Sequence, residues 1–354
     1  MSKELLRTIK HLSPFQVNQY ILSKMTNILI AEIGSVHDGS FGNALNLIHL
    51  AKECGANAVK FQYHISKAET SAKAPSPYYF NSETRWDYFN RISFSKDQWR
   101  SLYKEAKRIK IKFVVSPFSI EAMNNLKETG VDMIKIASGE VTNLPLIHHI
   151  ALQKKPVILS TGMSNWYEIS KAVKLLKKKH NNLTVVQCSS SYPCPDKEVG
   201  INVLSEIKKK YKCAIGFSDH TLGFAASISA VALGATVIEK HLTFHKKMYG
   251  SDSPNAMEPN NFKQFAKEIF SAWTIINSPI DKDKISKYKH MKNVFQKSIF
   301  LNKSLKKGSL IKYDDLDFKK PGDGISASEY KNIVNKKTVK KLNKDHKLKK
   351  VDFI

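Results

Sequence analysis

Eight short apolar segments alternate with amphipathic segments from Ile28 to about Ser278, and few architectures accommodate such a pattern. The predicted strands are Ile28–Ile33, Ala58–Gln62, Lys112–Ser116, Met133–Ala137, Val157–Thr161, Thr184–Cys188, Ala214–Ser218 and Thr236–His241. Predicted helices include Asn43–Cys54, Lys96–Ile109, Ile120–Glu128, Trp166–Lys178, Thr221–Leu233 and Pro259–Ile276. Eight strands alternating with helices over about 250 residues predict a (β/α)8 TIM barrel. A doubly wound open sheet is disfavoured, because no glycine-rich phosphate-binding sequence follows the first strand.

The sequence predicts four parts along the chain. Residues 1–25 form an N-terminal extension without an assigned function, 26–280 the barrel, 281–292 a lysine-rich linker, and 293–354 a small C-terminal domain. The last part has β-type runs at Ser298–Leu301 and Thr338–Leu342, together with turn signals such as Lys307-Gly308. Its length of roughly 60 residues is marginal for an independent domain, so we expect it to dock on another surface.

Composition narrows the classes of function. Lysine and arginine number 57 against 31 acidic residues, a net charge of +26 that suggests polyanion partners. The lysines are spread over helix surfaces in short runs, and no nucleic-acid-binding motif accompanies them. No apolar run could span a bilayer, and Leu12–Leu22 is too interrupted by polar residues to resemble a signal peptide. The four cysteines form no C-x-x-C pair and are expected to be reduced. We therefore predict a cytoplasmic protein with neither a nucleic-acid nor a membrane partner.

Polar residues cluster where the predicted strands end, and these C-terminal ends carry the active site in TIM barrels. A lysine that points into a barrel is costly to bury unless it meets an anion. The lysines and nearby hydroxyl groups predict a site for a small substrate with a phosphate and a carboxylate, formed by Lys60, Ser116, Lys135, Ser138, Ser160 and Ser218. The alternative is that each lysine forms a buried ion pair with Glu32 or Glu140.

Two histidines, His220 and His241, follow adjacent predicted strands. Neighbouring strands lie about 4.8 Å apart, so the two imidazoles can converge on one divalent ion. Two protein ligands leave coordination positions for water and substrate oxygens, as a catalytic metal requires. The residues alone leave open whether they form a metal site or a hydrogen-bonded pair of histidines without a metal.

One connection between a strand and a helix, Tyr63–Ser95, is long and rich in aromatic residues. At the active end of a barrel, such a segment is a candidate lid. Packing of the loop on its own aromatic side chains is the alternative.

Several motifs resemble the sialic acid (N-acetylneuraminate) synthase family. They are Ala31-Glu32-Ile33-Gly34 with His37, Val59-Lys60-Phe61-Gln62, Lys135-Ile136-Ala137-Ser138-Gly139-Glu140, Gly216-Phe217-Ser218-Asp219-His220-Thr221 and Ile238-Glu239-Lys240-His241. Near the C-terminus, the segment Lys320-Pro321-Gly322-Asp323-Gly324-Ile325-Ser326 is similar to that family's β-rich antifreeze-protein-like (SAF) domain. The resemblance runs in order from about Ile28 to the C-terminus.

The resemblance implies a synthase that condenses phosphoenolpyruvate with an open-chain N-acyl sugar, such as N-acetylmannosamine, to a nine-carbon acid and phosphate. It implies that the six lysine and serine residues above bind phosphoenolpyruvate, and that the sugar contacts Gln62, Tyr192, Asp252 and Lys320. It also implies a divalent cation (Mn²⁺ or Mg²⁺) on His220 and His241, and a homodimer in which each SAF domain caps the partner's barrel. Glu32 is the candidate catalytic carboxylate. Because we expect it near two lysines and a metal, it should stay ionised and stabilise an oxocarbenium ion.

Three departures from the family pattern bear on the acceptor sugar. Val36 and Asp38 stand where the family usually has asparagine, and Lys320 stands where it usually has arginine, whose planar fork lysine does not reproduce. Ser116 replaces the usual threonine, a milder change. A phosphorylated or diamino-deoxy acceptor therefore stays open.

Two rival functions remain. A Schiff-base aldolase using Lys60 or Lys135 is disfavoured by the two histidines. A non-catalytic sugar-binding barrel is disfavoured because all the expected phosphate-binding residues are present.

Overall fold

The computed structural model describes residues 27–76, 83–179 and 182–354. The predicted N-terminal extension, residues 1–25, lies outside the described residues, and so does the tip of the aromatic loop, 77–82. The chain divides into two compact units between Ser278 and Pro279, and each is described separately.

The first unit is a closed barrel in which eight parallel strands pair in chain order and the last pairs with the first. The strands are Ile28–Gly34 (β1), Ala58–Tyr63 (β2), Lys112–Pro117 (β3), Met133–Ile136 (β4), Val157–Ser160 (β5), Leu183–Cys188 (β6), Ala214–Asp219 (β7) and Val237–His241 (β8). The predicted TIM barrel is confirmed. Every strand begins and ends within one residue of its predicted bounds, because a buried parallel strand is read as a continuous apolar run.

The helices of this unit follow the strands in the order typical of a barrel. They are Phe41–Glu53 (α1), Ser66–Glu69 (α2), Arg85–Arg91 (α3), Lys96–Arg108 (α4), Ile120–Thr129 (α5), Leu144–Ala151 (α6), Trp166–Lys177 (α7), Val203–Tyr211 (α8), Ala225–Ala232 (α9) and Pro259–Ile276 (α10). Reciprocal side-chain and backbone hydrogen bonds begin α4 at Ser95 and α7 at Asn165. Across the described part of the chain, no helix is long and apolar enough to cross a bilayer.

The interior of the barrel has two layers, which we call the lower layer and the upper layer. The lower layer is an apolar cluster at the N-terminal ends of the strands, formed by Ile28, Ile30, Ala58, Val114, Met133, Ile158, Val186 and Val237. Side chains two positions further along a strand face the same way. The upper layer therefore holds the residues two positions after the lower ones, among them Glu32, Lys60, Ser116, Lys135, Ser160 and Glu239.

Part of the aromatic connection packs on its own side chains. Tyr88, Phe89 and Ile92 form a small buried cluster, and the guanidinium carbon of Arg85 lies 5.3 Å from the centroid of the Phe89 ring. The Tyr88 hydroxyl lies 3.2 Å from the Ser251 hydroxyl, beyond β8. This packing agrees with the second interpretation of the loop, and a lid function stays a prediction.

The second unit has its own apolar core, which includes Ile299, Leu301, Ile311 and Leu348. Its strands Ser298–Leu301 (β9) and Leu316–Lys319 (β10) pair antiparallel. The first of these was predicted. The strand predicted at Thr338–Leu342 is wrong: Thr338 and Leu342 form isolated bridges to Phe353 and Leu305, two different segments, so no ladder develops.

The segment predicted as a linker contains regular structure. A helix at Lys289–Phe295 (α11) spans its end, and none of the seven residues of this helix is buried.

Candidate active site

Lys60 is buried in the upper layer, 4% exposed, and has three polar neighbours. Its Nζ lies 2.9 Å from Glu32 Oε1, 3.7 Å from Glu239 Oε1 and 3.4 Å from Ser116 Oγ. The period of two on β2 places Lys60 inside the barrel, where only an acidic neighbour makes its charge tolerable. The ion pair with Glu32 is the one that the sequence offered as an alternative.

Lys135 on β4 reaches across the barrel to β8, where its Nζ lies 3.0 and 2.9 Å from the two oxygens of Glu239. Ser218 Oγ donates to the same carboxylate at 3.0 Å. The alternative pairing of Lys135 with Glu140 is therefore wrong. Glu140 lies in a turn beyond the strand and accepts from Asn143 Nδ2 at 2.7 Å.

Glu239 is a central group of the site, and the sequence analysis gave it no role. It sits between two lysines, and its side chain is 6% exposed. The signal was available: Glu239 precedes the predicted ligand His241 by two residues on one strand, so both share a face.

The two buried carboxylates have opposite pKa shifts. Burial raises the pKa of Glu32, although Lys60 opposes this shift. Burial acts the same way on Glu239, but Lys135 and Lys60 outweigh it and lower its pKa. Glu239 is thus a fixed negative charge, whereas Glu32 accepts a proton more readily. This differs from the expectation that Glu32 would lie near two lysines and stay ionised; only Lys60 is paired with it.

Three serine hydroxyls gather above β4, β5 and β6. Ser138 Oγ donates to Ser160 Oγ at 3.0 Å. A Cβ on Gly162 would lie 2.6 Å from both Ser138 Oγ and Ser190 Oγ, so only glycine leaves these hydroxyls room. Ser190 was not among the predicted site residues. The three hydroxyls form a set of neutral donors suited to phosphate oxygens.

The two histidines face each other at the end of β7 and β8, with ring centroids 5.6 Å apart. His220 Nδ1 lies 2.6 Å from the Ser189 carbonyl, which only accepts, so Nδ1 carries the hydrogen and Nε2 keeps a lone pair in the neutral ring. Burial lowers the pKa of His241 to about 4, so this ring is neutral at pH 7. Burial also acts to lower the pKa of His220, but Cys188 and the Ser189 carbonyl outweigh it and raise the pKa.

Several features of the histidine pair fit a divalent cation. His241 Nδ1 is buried and has no hydrogen-bond partner among the described residues. A backbone carbonyl that fixes the other nitrogen of a ligating imidazole, as Ser189 does for His220, is the usual outer arrangement of a metal site. Within ranges 27–76, 83–179 and 182–354, no group of three or more His, Cys, Asp and Glu side chains could hold a metal ion. Further coordination positions would thus fall to water and substrate oxygens.

An ion pair on the other face of the same strands holds the segment around His220. Lys240 Nζ lies 3.0 Å from Asp219 Oδ2 and donates to the Thr221 carbonyl at 2.5 Å. Asp219 Oδ1 in turn accepts from the Thr221 backbone N–H at 2.8 Å. Because Asp219 and Lys240 each precede a histidine directly, this pair fixes the backbone from which both imidazoles project.

The predicted sugar-contacting residues of the barrel lie around the same mouth. Gln62 Nε2 donates to Glu32 Oε1 at 2.8 Å, and the Tyr192 ring lies 4.0 Å from that of His220. Asp252 Oδ2 accepts from the Ser35 backbone N–H at 2.7 Å. The carboxylate approaches Gly34 so closely that a Cβ there would lie 2.1 Å from Asp252 Oδ2.

The residues that depart from the family pattern have separate environments. Val36 is fully buried, and Asp38 Oδ1 accepts from Arg91 at 2.7 Å. In the second unit, the Lys320 ammonium lies 5.2 Å from the centroid of the Phe295 ring. The role of Lys320 in sugar binding stays a prediction.

Comparisons with known proteins agree with this site. The NeuB family model matches residues 47–281, and the SAF domain model matches residues 296–354. The chain is 36% identical over 326 residues to the N,N'-diacetyllegionaminic acid synthase of Campylobacter jejuni, covering 90% of this chain and 97% of that protein. It is 30% identical over 326 residues to the N-acetylneuraminate-9-phosphate synthase of Homo sapiens, covering 90% of each.

A solved structure of N-acetylneuraminic acid (sialic acid) synthetase from Leptospira borgpetersenii, in complex with citrate, shares the fold. Its TM-score is 0.67 at 30% identity, over 75% of this chain and 90% of that one. Because the family model spans well over half of the sequence, this chain belongs to the NeuB family, with a C-terminal SAF domain.

Proposed function

We propose that this protein is a nonulosonic acid synthase, which condenses phosphoenolpyruvate with an open-chain N-acyl sugar and releases phosphate. The observation that carries the proposal is the upper layer of the barrel, where Lys60 and Lys135 are buried beside hydroxyl groups and two carboxylates. The relatives that are named synthases of legionaminic, neuraminic and pseudaminic acids support this class of reaction.

Phosphoenolpyruvate would lie across the upper layer. Lys60 and Lys135 would donate to its carboxylate and phosphate oxygens, with Ser116 and Ser218 beside them. The hydroxyls of Ser138 and Ser160 would complete the phosphate site. Because both ammonium groups are already paired with carboxylates, the anion gains charge-assisted hydrogen bonds in a site whose lysines are held in place.

The reaction that fits this site joins C3 of phosphoenolpyruvate to the aldehyde carbon of the sugar. Water then adds to C2, and the tetrahedral intermediate expels phosphate by cleavage of the C–O bond. Glu32, with its raised pKa and an oxygen that no described residue binds, would take the proton from this water. Glu239 would hold Lys60 and Lys135 in position throughout, because its own pKa is lowered.

A divalent cation, Mn²⁺ or Mg²⁺, would be held by His220 and His241 and would supply Lewis-acid polarisation of the sugar aldehyde. Tyr192, whose ring packs on His220, and Asp252 would orient the sugar chain beside it. The buried Nδ1 of His241 that lacks a partner among the described residues supports this assignment.

The acceptor sugar is N-acetylmannosamine or a related N-acyl sugar. The alternative is a phosphorylated or diacetamido-deoxy sugar, and the C. jejuni relative named N,N'-diacetyllegionaminic acid synthase favours testing the latter early. A non-catalytic sugar-binding barrel is the remaining alternative.

The test is phosphate release from phosphoenolpyruvate with a panel of sugars, with and without EDTA and added Mn²⁺. Release that requires both a sugar and a divalent cation supports the synthase and identifies its acceptor. Release that persists in EDTA, with substrate trapped on Lys60 or Lys135 by borohydride, supports the Schiff-base aldolase instead. If phosphoenolpyruvate does not bind at all, the non-catalytic barrel takes the place of the synthase.

A variant sharpens the cation assignment. His241→Ala should abolish sugar-dependent phosphate release and leave the unfolding temperature close to that of the wild type. His149→Ala is the matched control, because this exposed histidine bonds only Asn124 on the outside of the barrel. Near-normal release by His241→Ala would remove the metal site from the proposal.

We also propose that the protein is a homodimer in which each SAF domain caps the partner's barrel. The exposed apolar side chains of α11, Met291, Val294 and Phe295, support a surface that is covered in the assembly. Light scattering should give twice the 40.1-kDa chain, and Phe295→Glu should lower this mass. A monomeric wild type would contradict the capped arrangement.

Lys320 tests the capping directly. If the partner's Lys320 reaches the sugar, Lys320→Ala should raise the KM of the sugar far more than that of phosphoenolpyruvate. Equal effects on both substrates would remove Lys320 from the sugar site. Lys331→Ala, in the same unit, is the control.

A further inference from the structure

A chain of hydrogen bonds runs from the reacting carboxylate to the mouth of the barrel. Gln62 Nε2 donates to Glu32 Oε1 at 2.8 Å, and Gln62 Oε1 lies 3.1 Å from His64 Nε2. His64 Nδ1 lies 2.7 Å from Glu69 Oε1. Lys60, Gln62 and His64 alternate along β2 and its end, so they face the same way. Neither His64 nor Glu69 has a part in the reaction proposed above.

The chemistry of the donors fixes the direction of this chain. Glu32 Oε1 accepts, so the Gln62 amide turns its NH₂ group to Glu32 and its oxygen to His64. Nε2 of His64 must then carry a hydrogen. The second nitrogen faces Glu69, and this contact also needs one proton, either on Nδ1 or on the carboxyl group of Glu69. Under both placements the Nε2 atom of His64 remains a donor.

The surroundings prevent this pair from turning away. The His64 ring is stacked between two aromatic rings, with centroids 3.7 Å from Phe89 and 4.2 Å from Phe118. The side chains of His64 and Glu69 are 4% and 5% exposed. A buried pair of this kind is costly to keep unless its geometry is used or fully satisfied. Glu69 Oε2, moreover, has no hydrogen-bond partner among the described residues.

We propose that His64 and Glu69 are positioning residues, which lock the amide of Gln62 and thereby confine the exchangeable proton of Glu32 to Oε2. Oε1 of Glu32 already accepts from Lys60 at 2.9 Å and from Gln62 at 2.8 Å, whereas Oε2 is buried without a partner among the described residues. A Gln62 amide free to turn over would present its oxygen to Glu32 Oε1 and draw the proton there. The proposal rests on the proposed function for its kinetic consequence, but not for its geometry.

The kinetic test is a double-mutant cycle between the pair and Gln62. His64→Phe keeps the aromatic stack, and it is made together with Glu69→Leu so that no carboxylate stays buried alone. We expect this double replacement to lower kcat for phosphate release by roughly 10- to 100-fold, the range for partners of a reacting group's immediate neighbours. In a Gln62→Leu background it should lower kcat no further, because the pair acts through Gln62.

A purely structural role gives a different result. The losses from the pair and from Gln62→Leu would then multiply, which would overturn the proposal. Glu69→Gln is the conservative rescue: its amide can donate to Nδ1, so His64 keeps the hydrogen on Nε2 and most of the activity should return relative to Glu69→Leu. Thermal unfolding of every variant shows whether it is folded.

An activity-independent test uses ¹⁵N NMR of the imidazole of His64 in the full chain, without substrates. The proposal predicts hydrogen on Nε2 in the wild type and in Glu69→Gln. A neutral ring with its hydrogen on Nδ1 alone overturns it. If Nε2 carries the hydrogen but no sugar in the panel gives phosphate release, the positioning geometry stands and only the proposed function fails.

Discussion

The two layers of the barrel interior are built by the same eight strands, two residues apart, and they differ in almost everything else. Ile158 and Val237 belong to an apolar lower layer, whereas Ser160 and Glu239 follow them on the same faces in the upper layer. Burying an aliphatic side chain contributes about 1.5–3 kcal/mol to stability. A buried ion pair contributes little net stability, because the cost of removing charges from water offsets their attraction. The lower layer therefore stabilises the fold, and the upper layer provides the chemistry.

Removing one charge from the upper layer should have the largest effect. Glu239→Gln leaves Lys60 and Lys135 buried near each other with no carboxylate between them. The free energy of unfolding should fall by about 3–5 kcal/mol, the cost of breaking a buried pair. Turnover should fall by about 100-fold or more, because both lysines lose their positions. Urea unfolding and phosphate release measure the two effects.

The matched control is Glu140→Gln, since Glu140 was the alternative lysine partner and bonds Asn143 instead. Its unfolding free energy should change by less than about 1 kcal/mol. If Glu239→Gln were as mild as this control, the ion pairs of the upper layer would not matter to the fold.

Ile158 in the lower layer should separate stability from activity. Ile158→Ala removes buried methyl groups and should lower the free energy of unfolding by about 2–5 kcal/mol. The value of kcat should stay unchanged below the unfolding transition, because no charged or hydroxyl group moves. Ser160→Ala, two residues on, should do the reverse: a loss of at most about 1.5 kcal/mol and a higher KM for phosphoenolpyruvate. Similar kinetic losses in both would erase the distinction between the layers.

Protonation of His37 should give the smallest of these effects. His37 is 2% exposed against Phe94, and burial, with His64 nearby, lowers its pKa to about 4. Between that value and the unfolded pKa near 6.5, the unfolded state binds more protons, so stability falls as the pH is lowered. This histidine should account for about 2 kcal/mol of the stability lost between pH 7 and pH 5.

The measurement for His37 is urea unfolding of the wild type and of His37→Asn at both pH values. Asparagine keeps an acceptor for the Gly39 backbone N–H, which His37 Nδ1 binds at 3.1 Å. An equal loss in both proteins would assign the pH dependence to other groups.

Much of the barrel could be predicted because each of its strands is buried on both faces. The run Ile28–Ile33 and the pair Lys60 and Gln62, two apart, carry their meaning locally. The partner of Lys135 could not be read in the same way, since Glu239 is 104 residues away across the barrel. The strand predicted at Thr338–Leu342 failed for the same reason, because pairing in the small unit depends on which distant segments come together.

Titration of phosphoenolpyruvate into the wild type and into Lys135→Met tests the central claim most directly, since it needs neither the acceptor sugar nor turnover. The wild type should bind with one site per chain. Loss of a charge-assisted hydrogen bond, worth about 1.5–3 kcal/mol, should raise the Kd of Lys135→Met by about 10- to 100-fold. Equal affinity in the two proteins, or no binding to the wild type, would contradict the assignment of the upper layer as the phosphoenolpyruvate site.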